Sequence, residues 1–187
     1  MSAEWLTAIG TLGTFVVIAA SAVAALLQLR HMRATNQLNA ITELFEIFES
    51  PEFQAARGFI NRDLPQLLEQ PENRTLALQR PIPERFGQAR MILGFFENVG
   101  SLVKRGIIDG DLLCDLWAPI IISSWNRLAS WALSARAAHG NVALYENFEY
   151  LAVVAQQHLD ERPAGSYPKG MPRSQSGTVW PEAKARQ

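Results

Sequence analysis

The sequence predicts an all-α protein, with one N-terminal transmembrane helix followed by a small cytoplasmic helical bundle. Three observations predict it. The run from Trp5 to Leu29 carries no formal charge and is long enough to cross a bilayer core as a helix. Beyond it, apolar residues recur at helical spacing, without the alternation that marks a half-buried strand. Serine, aspartate, proline and glycine stand where helices of that spacing would begin and end.

The apolar run comes first. Trp5 lies at one end, where an amphipathic ring suits the headgroup level, and Arg30, His31 and Arg33 close the other. Only Glu4 and the α-amine precede it, so the bias of basic residues places the C-terminal side in the cytoplasm and the N-terminus outside. A cleaved signal peptide is the rival reading, with Ala20-Ser21-Ala22 as its cleavage site. That reading lacks the basic segment that precedes the apolar core of such leaders. A buried helix of a soluble protein is the other rival, and length counts against it. No second span is expected: Leu116 to Ile122 is too short. Within the first, Thr7, Thr11, Thr14, Ile18, Ser21, Ala25 and Gln28 alternate by four and three and form one seam. Small and hydroxylated seams let helices approach closely in lipid. The expected role is self-association, or docking on another membrane protein's span. The bland alternative is that these hydroxyls bond their own backbone carbonyls.

After the membrane, Leu38, Ile41, Phe45 and Phe48 continue a helical stripe. Ser50-Pro51 ends that helix and starts another, since serine caps well and proline suits the first helical position. Phe53, Ala56 and Ile60 share a face of this second helix. The stretch 63–83, with prolines at 65, 71, 81 and 83, is read as turns pinned by Leu64, Leu67 and Leu68. A long helix is expected from Pro83-Glu84 to Arg105, stopped by Gly106, with Ala89, Ile92, Leu93, Phe96, Val99 and Val103 as its apolar arc. Gly87, Gly94 and Ser101 recur at a spacing of seven and are read as a close-packing stripe. Asp109 is expected to cap a short helix through Trp117, and Pro119 to open a longer one to about Ala138. Its polar stripe is Ser123, Asn126, Arg127, Ser130 and Ser134. Gly140-Asn141 turns the chain into a last helix, about Ala143 to Asp160. The expected divisions are an anchor at 1–33 (span 5–29), a helical domain at 34–162 and a disordered basic tail at 163–187, where Pro, Gly and Ser dominate.

Composition excludes little but points away from some partners. The net charge is −1, so nothing global favours nucleic acid, and none is expected as a partner. The lipid bilayer is the expected partner. No cofactor is expected, because neither phosphate-cradling glycine pattern occurs. His31, His139 and His158 are scattered without metal-ligand spacing and are read as surface or helix-end residues. Asp109, Asp111 and Asp115 resemble the start of a calcium loop, but its fifth and twelfth positions fall on Leu113 and Ile120. They are read instead as a cap and first-turn acids favoured by the helix dipole. The single cysteine, Cys114, is read as a small buried hydrophobe. Among carboxylates, Glu97 borders an apolar arc, with Arg127 as a candidate partner across the bundle. Together they form the candidate polar surface, read as a boundary ion pair rather than a catalytic set. No catalytic or metal residues are assigned.

The runs Phe95-Phe96-Glu97-Asn98-Val99-Gly100 and Val103-Lys104-Arg105-Gly106-Ile107-Ile108-Asp109, with Ser50-Pro51-Glu52-Phe53 and Ala56-Arg57, resemble a family of uncharacterised bacterial membrane-anchored helical proteins, a domain of unknown function. The resemblance covers most of residues 1 to 160. It implies the anchor and the helical domain, a bacterial inner (cell) membrane as location, and no activity, ligand or catalytic residue. The functional expectation is a membrane-anchored cytoplasmic interaction module. The alternatives are a small subunit of a larger membrane complex, and an enzyme whose groups converge only in three dimensions.

Overall fold

The computed structural model describes residues 3–163, 165–168 and 170–172. Residues 164, 169 and 173–187, with Trp180 and most of the expected tail, lie outside the described residues. All regular elements among the described residues are helical. α1 spans Ala3–Glu49, 47 residues in one helix, about 70 Å at 1.5 Å per residue. Its stretch Gly10–Met32 is long and apolar enough to cross a membrane, and none of it is buried in the protein. That finding removes the reading of a buried core helix. The same helix enters the core at its far end, where Leu44 and Phe48 are buried.

α2 (Pro51–Leu67) begins where expected: Ser50 Oγ accepts from Phe53 N at 3.2 Å. It runs through Pro65, so the stretch expected as turns is helical up to Leu67 and again in α3 (Pro71–Ala77), and only 68–70 and 78–83 are non-helical. The break at 68–70 is closed by side chains. Asn73 Nδ2 donates to Leu67 O at 2.9 Å, and Arg74 Nε to Leu68 O at 2.5 Å, so carbonyls freed at the end of α2 are satisfied. A 3₁₀ turn, Glu84–Phe86, leads into α4 (Gly87–Lys104). Gly106 then adopts φ +66°, the left-handed conformation that ends helices and favours glycine.

α5 (Gly110–His139) is one helix of 30 residues, not two. Asp109 caps it as expected, its Oδ1 accepting from Leu112 N. Pro119 does not open a second helix; it lies inside the first. A proline there lacks the N–H that would bond the Asp115 carbonyl. Both residues sit on the exposed side, so water can take the freed carbonyl. On the other side Trp117, Ala118 and Ile121 bury without interruption. α6 (Glu146–Glu161) starts three residues later than expected, because Ala143 to Tyr145 form a turn in which Tyr145 adopts φ 59°.

The core is built where α4 packs on α6 and α2, and α5 on α6. An aromatic series runs through it. Phe48 stacks on Trp117 at 4.4 Å, Phe53 meets Phe95 edge-on at 4.6 Å, and Phe96 stacks on Phe148 at 4.9 Å. Such pairs add about 1 kcal/mol each beyond the area they bury. Close approach of α4 to α6 depends on Gly100, not on the stripe expected at Gly87 and Gly94, where an added Cβ would meet nothing within 4 Å. A Cβ at Gly100 would lie 2.0 Å from the Asn147 carbonyl oxygen. Gly100→Ala is therefore expected to destabilise the bundle by about 3 kcal/mol, read as a lowered thermal midpoint by circular dichroism. An unchanged midpoint would refute this packing.

Candidate functional site

Glu97, the first of the two expected polar-surface residues, sits on α4 against the start of α6. Its Oε2 accepts from Phe148 N at 2.9 Å and its Oε1 from Asn147 Nδ2 at 2.8 Å. Phe148 is in the first turn of α6, whose N–H groups have no partner within the helix. The residue in the capping position, Tyr145, makes no capping bond. Glu97 therefore acts as the cap, from another helix, and its charge meets the positive end of the α6 dipole. Lys104, two turns along α4, reaches Glu146 at 3.2 Å, with both side chains half exposed. Burial, the leading cause, raises the pKa of the Tyr145 phenol above its ordinary value.

Arg127 is elsewhere. It lines a groove of about 530 Å³ between the end of α2, α3 and α5. The structure thus does not bring Glu97 and Arg127 together: both Glu97 oxygens are engaged by α6, and among the described residues no ion pair joins the two. The groove floor is Leu64, Ala77 and Trp131, and its rim carries Arg74, Glu69, Asn126, Ser130 and Ser134. Asn126, Ser130 and Ser134 recur every fourth residue along α5 and are exposed, as the polar stripe in the sequence requires. The apolar floor was not readable, because Trp131 reaches across to α3, its Nε1 donating to Ala77 O at 3.1 Å.

A second cluster was missed in the sequence. His158 on α6 is buried, with Nε2 at 3.0 Å from Asp115 Oδ1 and Nδ1 at 3.2 Å from Asp111 Oδ1. Arg162 Nη1 lies 2.9 Å from the same Nδ1, and its Nη2 donates to Asp111 Oδ2 at 3.1 Å. Ser166 Oγ also donates to Asp115 Oδ1. That hydrogen bond first, then the bond and charge of His158, hold the Asp115 carboxyl below its ordinary pKa. The available signal was the i, i+4 spacing of Asp111 with Asp115 and of His158 with Arg162, which puts each pair on one helix face. Nothing in the spacing brings the two faces together. The cluster fastens the chain after α6 onto α5. Among the described residues, no group of three or more His, Cys, Asp or Glu side chains is placed to hold a metal ion.

Cys114 lies beside this cluster and is buried. Burial, helped by Asp111 and Asp115, pushes its thiol up to about 11. In the apolar stretch of α1, Thr14 Oγ1 donates to Gly10 O at 2.9 Å and Ser21 Oγ to Val17 O at 2.8 Å. These two hydroxyls bond their own helix, the bland alternative for the seam. Thr11 and Ala25 are exposed on the same face, and the side chain of Thr7 lies outside the described residues.

Two of these environments can be measured directly. Glu97→Ala strips the cap from α6 and is expected to lower stability by about 2 kcal/mol, the scale of hydrogen bonds to a charged group. Glu97→Gln, which keeps an acceptor oxygen, should lose less. Urea titrations of both variants measure this, and equal losses would contradict the cap. At pH 8, Cys114 in the folded protein should react with iodoacetamide about 100-fold more slowly than in the urea-unfolded chain, because the thiolate is the nucleophile. Equal rates would show that the thiol is not held in its neutral form.

The chain matches a family model described as Domain of unknown function (DUF4760) over residues 15–153, from inside the apolar stretch of α1 to α6. No curated protein and no solved structure matches it. A match over that share of the chain settles membership: the protein belongs to this family of unknown function.

Proposed function

We propose that the protein is a single-pass, membrane-anchored interaction module whose helical bundle stands on the cytoplasmic side. One observation carries the reading. The apolar stretch Gly10–Met32 is unburied throughout, yet it belongs to the same helix that delivers Leu44 and Phe48 to the core. An apolar surface of that length has no place in water, and a bilayer is the solvent that fits it. The family match supports retention of the segment over its removal as a leader, because the family's common region includes most of it. The bias of Arg30 and Arg33 supports a cytoplasmic bundle. A location in a bacterial inner membrane belongs to the same reading. The module's partner is then a protein in the membrane or just beneath it. Contact through the exposed face of Thr11 and Ala25, including self-association, rests on close packing rather than on the two back-bonded hydroxyls.

The test joins extraction with topology. The full chain should stay in the pellet after alkaline carbonate washing of membranes. A C-terminal green fluorescent protein fusion should fluoresce, and a C-terminal alkaline phosphatase fusion should be inactive. Release into the supernatant would remove the anchor, and the opposite reporter pattern would invert the topology. Gentle solubilisation, purification through a C-terminal tag and quantitative mass spectrometry of the co-purifying proteins then test for the partner. A homogeneous preparation without any would sink the interaction reading.

A further inference from the structure

We propose that the groove between the end of α2, α3 and α5 binds a small amphipathic anion, a carboxylate on an apolar body. Its volume, about 530 Å³, falls within the range of small-molecule sites. Its floor suits an apolar body. Leu64 and Ala77 are buried there, and Trp131 has its single N–H engaged by Ala77 O, which leaves indole carbon for contact. Its rim suits an anion, with two guanidinium groups, Arg74 and Arg127, against one carboxylate, Glu69. Arg74 is held in place by the carbonyls of Leu68 and Glu69. Arg127 has no hydrogen-bond or ion-pair partner among the described residues. The other charged groups that draw helices together are engaged by protein: Glu97 by α6, Arg136 by Glu149, and Arg162 by Asp111. A guanidinium beside an apolar floor is a receptor for a planar carboxylate, which it can bond with two parallel donors. Ser130, one turn from Arg127 on the same helix, supplies a neutral hydroxyl at the rim.

The test uses the full chain in nanodiscs of zwitterionic lipid, with protein-free discs as the reference. The probe is para-trifluoromethylbenzoate, followed by fluorine NMR, against its neutral counterpart para-trifluoromethylbenzamide. Saturable binding of the benzoate with Kd below about 1 mM is expected. The benzamide should bind at least about tenfold more weakly, as one charge-assisted pair is worth that much. Arg127→Gln should weaken the benzoate by about tenfold or more, and Ser130→Leu should block the mouth. Arg105→Gln, an exposed arginine outside the groove, should change nothing. Arg127 and Ser130 are both exposed on α5, so their variants keep the fold, which an unchanged thermal midpoint checks. Equal binding of benzoate and benzamide, indifference to Arg127→Gln, or no saturation below about 10 mM would overturn the proposal.

Discussion

The ring of Phe48 lies 4.4 Å from that of Trp117, nearly parallel to it, and Phe45 meets the same indole edge-on at 5.1 Å. This joint fastens α1 to the bundle. The helix carries an unburied, largely apolar surface over Gly10–Met32 and a buried stripe near its end. Only a contact of core quality at that end makes the two parts one object. From Thr14 to Glu49 the helix holds no glycine and no proline, the residues at which helices usually kink. One continuous helix therefore joins the apolar stretch to Phe48, which meets Trp117 of α5 and Phe95 of α4.

A second dependence lies at the start of α6. α6 begins after a residue, Tyr145, that takes a left-handed backbone and offers its helix no cap. Left uncapped, the first turn would hold unbonded N–H groups beside an apolar core. Glu97 fills the deficit from α4, Gly100 one turn on removes the Cβ that would keep the two helices apart, and Lys104 adds an exposed ion pair. Cap and close approach depend on each other, because the carboxylate reaches Phe148 N only if the backbones come near. The carboxylate that borders the apolar arc is thus part of the fold's closure, and its neighbours on α6 supply all the bonding it shows.

How much of this was legible depends on the range of each interaction. Helical periodicity, the caps at Ser50 and Asp109 and the stop at Gly106 are local, and each appears where the sequence puts it. Pro119 misleads, because proline is usually a helix start. Its cost depends on whether the carbonyl it frees faces water, and that depends on tertiary burial. Gly87 and Gly94 mislead in the same way: spacing shows a stripe but not what stands opposite it. The cap by Glu97, the engagement of Trp131 by Ala77 and the meeting of His158 with Asp111 and Asp115 each join residues more than forty positions apart. No single-sequence pattern carries such pairs. His158 reads as a helix-end residue until α5 is seen to pass beside it.

These engagements also order the polar groups by what they leave over. A charge near an apolar core is costly unless it is paired, and pairing makes it part of the structure. Glu97, Arg136, His158 and Arg162 are all paired in this way, although Arg136 keeps a buried Nη2 without a partner among the described residues. Arg127, like the exposed Arg105, has no such pairing among the described residues. It stands at the rim of a groove that combines an apolar floor with several polar side chains. Among the described residues it makes no hydrogen bond or ion pair, so its substitution removes none from the fold. That leaves its guanidinium available to the groove it borders, which is the premise of the proposed anion site.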